Sequence, residues 1–162
     1  MTLAGVSFEI DFTVDKTSKS RKAALSSLAQ RIGALRPELS TQDISSCFLT
    51  RERLGSTAIG SGVAAPHTIF NEACPPLIQV TVLKSAVDFD ASDEAPVDLL
   101  LSVVGNRHDL RWLHLALPRF GKVANAPDKA AKIRCAKDIP DVEDVMASVG
   151  IYTRRTQPEK PL

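Results

Sequence analysis

The sequence is poor in aromatic residues: Phe, Trp and Tyr make up 5% of its 162 residues, with one Trp and one Tyr. A platform of rings for stacking single-stranded bases is therefore excluded. A surplus of one charge sign is also missing. Lys plus Arg number 20 and Asp plus Glu 19, a formal net charge of +1. Proteins that live on nucleic acid or on anionic membrane carry a basic excess, so neither is an expected partner. Long hydrophobic runs are absent. The longest, Pro96–Gly105, carries Asp98 and is about half the length of a membrane span. The first thirty residues lack the basic start and continuous apolar core of a secretion signal. Cysteines are few. Cys47, Cys74 and Cys135 are odd in number and form no CxxC pair, so neither a disulfide framework nor a zinc knuckle is indicated. The three thiols read as small apolar side chains in a reducing cytoplasm. His67, His108 and His114 include no i, i+4 pair, and no metal or cofactor is implied.

What is present is a globular composition, 44% hydrophobic and 24% charged, in a chain with room for one domain. Val6, Phe8, Ile10, Phe12 and Val14 alternate with polar residues, the period-two pattern of a half-buried strand. A basic stretch, Lys16–Lys22, reads as a solvated helix start. Leu25, Leu28, Ala29 and Ile32 then mark one helix face, with Gly33 as an expected stop. Ser40 and Asp43 resemble a capping box for a helix that buries Ile44, Cys47 and Phe48. Continued to i+7, that stripe lands on Arg51.

Ile78, Val80 and Val82 alternate in a further strand, and Val87–Pro96 is an acidic loop. Val97–Val104 is nearly all apolar, as in a central strand covered on both faces. Leu110, Leu113 and Leu117 begin another helix, with Asp109 as candidate cap. Pro118 is expected to kink or end it, at about 3 kcal/mol if unrelieved. Short helices follow after Pro127 and Pro140, and Gly150 closes the last. The expected fold class is α/β (α+β), a three-layer α/β/α sandwich with a mixed β-sheet flanked by helices. Residues 1–150 form the single domain and 151–162 a polar, frayed tail.

The block Arg51–His67, RERLGSTAIGSGVAAPH, holds three of the eight glycines. A glycine-rich loop frees backbone N–H groups to approach an anion. Arg is the usual partner of a phosphoryl group, because its planar fork matches two oxygens. The spacing is neither G-x-x-x-x-G-K nor G-x-G-x-x-G, so a nucleotide site is not indicated.

This block resembles the signature of the type-2 IIA domains of the bacterial phosphotransferase system, which include mannitol- and fructose-type domains and a nitrogen-regulatory relative. The match runs through Arg51, Glu52, Gly55, Ser56, Thr57, Ile59, Gly60, Gly62, Ala64, Pro66 and His67. It continues at Phe8–Ala29, Val87–Asp90 and Pro96–Leu100, so residues 6–150 are covered. The resemblance implies that His67 takes a phosphoryl group from the phosphohistidine of a small carrier protein, then passes it on or holds it as a signal. It implies that Arg51 and the amides of Gly60 and Gly62 neutralise the phosphoryl oxygens, and that Ser56 and Thr57 donate further hydrogen bonds. The implied partners are that histidine-phosphorylated carrier and regulatory targets of the transporter or kinase class.

Three departures stand out. Thr68-Ile69-Phe70 follows the histidine where the family commonly has Gly and a basic residue. Many members carry a second histidine before the helix that follows the central strand. The Leu110, Leu113, Leu115 register places that position at Asp109, with His108 its neighbour. Pro118 falls within a helix that is normally uninterrupted. Three functions remain open: a nitrogen-regulatory phosphoryl acceptor, an interaction module that kept the fold and lost the transfer, and a sugar-specific IIA subunit.

Overall fold

The computed structural model describes residues 5–71 and 75–158; Cys74 lies outside them. The strands are β1 (Glu9–Asp15), β2 (Ala58–Gly60), β3 (Val63–Ala64), β4 (His67–Phe70), β5 (Leu77–Val87) and β6 (Val97–Asn106). The helices are α1 (Arg21–Leu35), α2 (Thr41–Leu54), α3 (Arg111–Ala124), α4 (Pro127–Arg134) and α5 (Ile139–Ser148). The strands form one mixed sheet in the order β1-β5-β6-β3-β2, with β4 also paired to β6. β1 runs parallel to β5, β5 antiparallel to β6, and β3 and β4 both parallel to β6.

Two cores sandwich the sheet. On one face Leu25, Leu28 and Ile32 of α1 and Ile44 and Phe48 of α2 meet Leu77, Leu83, Leu100 and Val104. On the other, Trp112 and Phe120 of α3, Ile133 of α4 and Met146 of α5 meet Ile78, Val80, Leu101 and Val103. This is the expected three-layer α/β arrangement. Side chains alternate between faces along a strand, so the unbroken apolar run of β6 serves both cores at once.

β3 and β4 are one strand line interrupted at Ala65-Pro66. Proline has no N–H to give a ladder, yet its carbonyl still accepts from Val103 N at 3.2 Å. Ser20 and Ser40 cap α1 and α2 by accepting from Ala23 N and Asp43 N. Asp138 does the same for α5.

Three expectations need correction. Gly33 does not stop α1, which runs on to Leu35. A Cβ at Gly33 would lie 3.2 Å from Thr41 Cβ and closer still to its hydroxyl, so this glycine permits the close approach of α1 and α2. Pro118 does not interrupt α3, which is continuous from Arg111 to Ala124. The proline is exposed and the carbonyl it leaves unpaired belongs to exposed His114, where solvent satisfies it.

The C-terminal segment is not frayed through its described length. Ile151 is fully buried and Thr153 nearly so. Phe8 N donates to Tyr152 O at 3.0 Å, which adds this segment beside the start of β1. Thr153 Oγ1 and Arg155 Nε both donate to the buried carboxylate of Glu143, at 2.5 and 2.9 Å. A short inward-facing pattern inside a polar stretch carries this docking. Residues 159–162 lie outside the described residues.

Candidate functional site

His67 opens β4 opposite Val103 of β6. Phe70 enters the core beneath α1 and α2, whereas Ile69 packs on the α3 side. By strand alternation His67 shares the face of Ile69, and it is partly exposed. Its Nδ1 lies 2.9 Å from Ala65 O. A carbonyl oxygen only accepts, so Nδ1 carries the proton. In the neutral ring Nε2 then holds the free lone pair.

Thr57 O accepts from Ala65 N at 2.9 Å, and Ala58 pairs with Ala64 in the antiparallel β2–β3 hairpin. Arg51, in the last turn of α2, donates from Nη1 to Gly55 O at 2.8 Å. It is half-buried at the end of α2 rather than in the core that its i+7 position suggested, and a helix C-terminus favours its charge. Guanidinium has five N–H donors, so this bond leaves others for an oxyanion.

The hydroxyls of the motif are engaged inside the protein. Ser56 Oγ donates to Phe89 O and accepts from Ala58 N. Thr57 Oγ1 donates to Glu52. A hydroxyl has one proton, so in this conformation neither is available to a phosphate.

Gly60 and Gly62 stand elsewhere. Gly60 pairs with Val63, which leaves Ser61 and Gly62 as a two-residue hairpin turn. Both have positive φ, 57° and 78°, the pattern of the type I′ turn that joins twisted strands. Asp93 accepts from Ser61 N at 2.8 Å, and this amide and that of Ala95 hold its carboxyl below the usual range. Arg134 bonds Asp98 and Ser61 O, each at 3.0 Å. A Cβ at Gly62 would meet Arg134 at 3.1 Å and Asp98 at 3.3 Å. Gly62 O takes the amides of Asp98 and Leu99, four rungs before Val103, a separation of about 13 Å along the strand. These glycines build a hairpin turn, not a cradle at His67.

His108 is exposed beyond the end of β6, its backbone N bonded to Asn106 Oδ1 at 2.7 Å. Among the described residues no hydrogen bond joins His67 to His108 or Arg51. Asp109 receives a bidentate grip from Arg111, with contacts of 2.7 to 3.0 Å. That partner holds its carboxyl below the usual range and offsets its negative charge locally. Asp109 also accepts from Arg111 N but is not the helix cap, a position held by Leu110.

Glu52 was assigned no role from sequence, yet it is 8% exposed and in contact with the motif. Thr57 N lies 3.2 Å from its Oε1. The signal was legible: Ile44, Phe48 and Glu52, at i, i+4 and i+8, are the buried residues of α2.

Residues 8–149 match the model of a family described as "Phosphoenolpyruvate-dependent sugar phosphotransferase system, EIIA 2". The chain belongs to this family. It is similar to nitrogen regulatory proteins. That of Pseudomonas aeruginosa is 42% identical over 81 residues, 50% of this chain and 53% of the relative. For the first relatives matched, the chain spans about half of their length. The nitrogen regulatory protein of Bradyrhizobium diazoefficiens is 33% identical over 132 residues, 79% of this chain and 83% of its own. The fold is shared with the crystal structure of nitrogen regulatory protein IIA-Ntr from Neisseria meningitidis. Its TM-score is 0.70 at 23% identity, over 85% of this chain and 92% of that one. No described helix is long and apolar enough to cross a membrane.

Proposed function

We propose that this chain is a nitrogen-regulatory IIA protein whose His67 accepts a phosphoryl group on Nε2 from the phosphohistidine of a carrier protein. The observation that carries the reading is the bond from Nδ1 to Ala65 O, which leaves Nε2 unprotonated and nucleophilic. The Nε2 lone pair forms a bond to phosphorus while the carrier's P–N bond breaks. The carrier imidazole leaves with the electron pair and takes a proton from solvent. Nδ1–H of His67 stays on Ala65 O and stabilises the charge that phosphorylation places on the ring. Arg51 supplies the cation for the equatorial oxygens. The added charge changes the surface offered to regulatory targets of the transporter or kinase class.

The test incubates the protein with its energised carrier and reads intact mass. The expected result is an acid-labile gain of one phosphoryl group that His67→Ala abolishes. No gain, or a gain that survives the substitution, overturns the reading.

A phosphorylation-independent interaction module is favoured by two exposed apolar residues of the motif region, Leu54 at 81% and Ile59 at 38%. Pulldown of the same partners by wild type and His67→Ala would support that alternative. A sugar-specific role would show instead as transfer from phosphorylated protein to a sugar-permease subunit.

A further inference from the structure

We infer that Glu52 is a positioning residue for His67, a buried carboxylate that acts through Thr57 and the Ala65 backbone to hold the imidazole in its Nδ1–H tautomer. The inference deepens the reading above and rests on it for its kinetic consequence, though not for its geometry. A carboxylate buried to 8% exposure is expensive unless its oxygens are bonded. Those of Glu52 take Thr57 N at 3.2 and 3.4 Å and the Thr57 hydroxyl. Arg21 Nη1 stands 3.6 Å away. Thr57 is thus clamped at both its amide and its side chain.

Its carbonyl passes the constraint on by accepting Ala65 N at 2.9 Å. Pro66 follows, and a residue before proline is restricted to extended ψ. With its amide tied to Thr57 and its ψ limited, Ala65 has its carbonyl direction set. That carbonyl is the acceptor for His67 Nδ1–H at 2.9 Å. Every link from Glu52 to the ring is a hydrogen bond or a restricted torsion. A free histidine side chain favours the opposite tautomer, with the proton on Nε2, so the proton position seen here needs such a support. Phe89 O, which accepts from Ser56 Oγ and from Arg21 Nη1, secures the same loop from outside.

The test reads tautomers directly from the ring nitrogen shifts of His67, by long-range proton–nitrogen NMR on the labelled full chain above the imidazole titration. Wild type is expected to be predominantly Nδ1–H. Glu52→Ala is expected to shift His67 toward Nε2–H. Glu52→Gln keeps an oxygen for both Thr57 hydrogens and is expected to restore the wild-type tautomer. Thr57→Val removes the hydroxyl link alone and gives an intermediate shift, which keeps the test available if Glu52→Ala does not fold. Phosphoryl acceptance from the energised carrier is expected to fall roughly tenfold in maximal rate for Glu52→Ala, with KM unchanged and rescue by Gln. An unchanged tautomer in folded Glu52→Ala or Thr57→Val overturns the inference. So does failure of Glu52→Gln to restore it. Absence of phosphorylation on wild type would overturn the proposed function, and the tautomer measurement would still decide the role of Glu52.

Discussion

Replacing Arg31 by Met should convert a stabilising carboxylate into a destabilising one, and the effect should fade in acid. Asp11 faces the α1 side of β1, 6% exposed, in register with Gln79. Arg31 grips it from Nε at 2.7 Å and Nη2 at 3.0 Å. Burial by itself raises the Asp11 carboxyl. The Arg31 bonds, with those of Gln79 and the Phe12 amide, reverse this and leave it below its ordinary value of 3.8. Methionine keeps the stem and removes the fork.

Breaking a fully buried pair costs about 3–5 kcal/mol, but the Arg31 side chain is 44% exposed. Solvent screening reduces the expectation to about 2 kcal/mol near neutral pH. In wild type the folded carboxyl lies below the unfolded one, so its stabilisation is full above the unfolded value and is lost as pH falls through the folded one. In the variant, burial dominates and the folded carboxyl rises above the unfolded one, so protonation relieves the penalty. The stability gap should therefore be widest near neutral pH and close as pH falls below about 4. Urea unfolding at a series of pH values measures it, and a carboxyl NMR titration of Asp11 reports the reversal. A gap independent of pH, or an Asp11 carboxyl still depressed in the variant, would refute the reasoning.

Other perturbations should behave as follows. Arg51→Ala should slow phosphoryl acceptance by about a hundredfold while costing under about 1 kcal/mol of stability, read by rapid-quench kinetics and thermal melts. Gly62→Ala forces a side chain onto a positive φ and against Arg134 and Asp98. It should cost about 1–3 kcal/mol in urea unfolding without abolishing acceptance, because the turn lies four rungs from His67. Gly105→Ala drives a Cβ into the Trp112 ring and should cost about 2–3 kcal/mol by the same assay, with a shifted indole N–H signal. Truncation after Gly150 removes fully buried Ile151 and the strand-like contact at Phe8, and should lower stability by about 2–4 kcal/mol.

Most elements were readable because their signals are local. The alternation through Val14 placed β1, and the apolar run at Val97 placed a central strand. The motif ending at Pro66-His67 pointed to the family. The failures share one cause, which is that a residue's effect can depend on a neighbour distant in sequence. Gly33 looked like a terminator because nothing local reveals Thr41 packed against it. Pro118 looked disruptive because helix continuity depends on which face the proline occupies. The glycines of Gly60–Gly62 looked like an anion cradle because a loop sequence does not say where its amides point. Strand register then carried them to Asp93, Asp98 and Arg134.

By itself the sequence determined the family, the alternation of strands and helices, and which histidine the family motif ends on, all of which are written in short-range patterns of residue type. The tertiary structure alone decided which nitrogen of His67 is free, that the hydroxyls of Ser56 and Thr57 are already engaged, and that Glu52 stands behind them. Hydrogen bonds are directional and hold only over about 3 Å. Which donor meets which acceptor is set by the register of β2 against β3 and by the end of α2 folding back onto it.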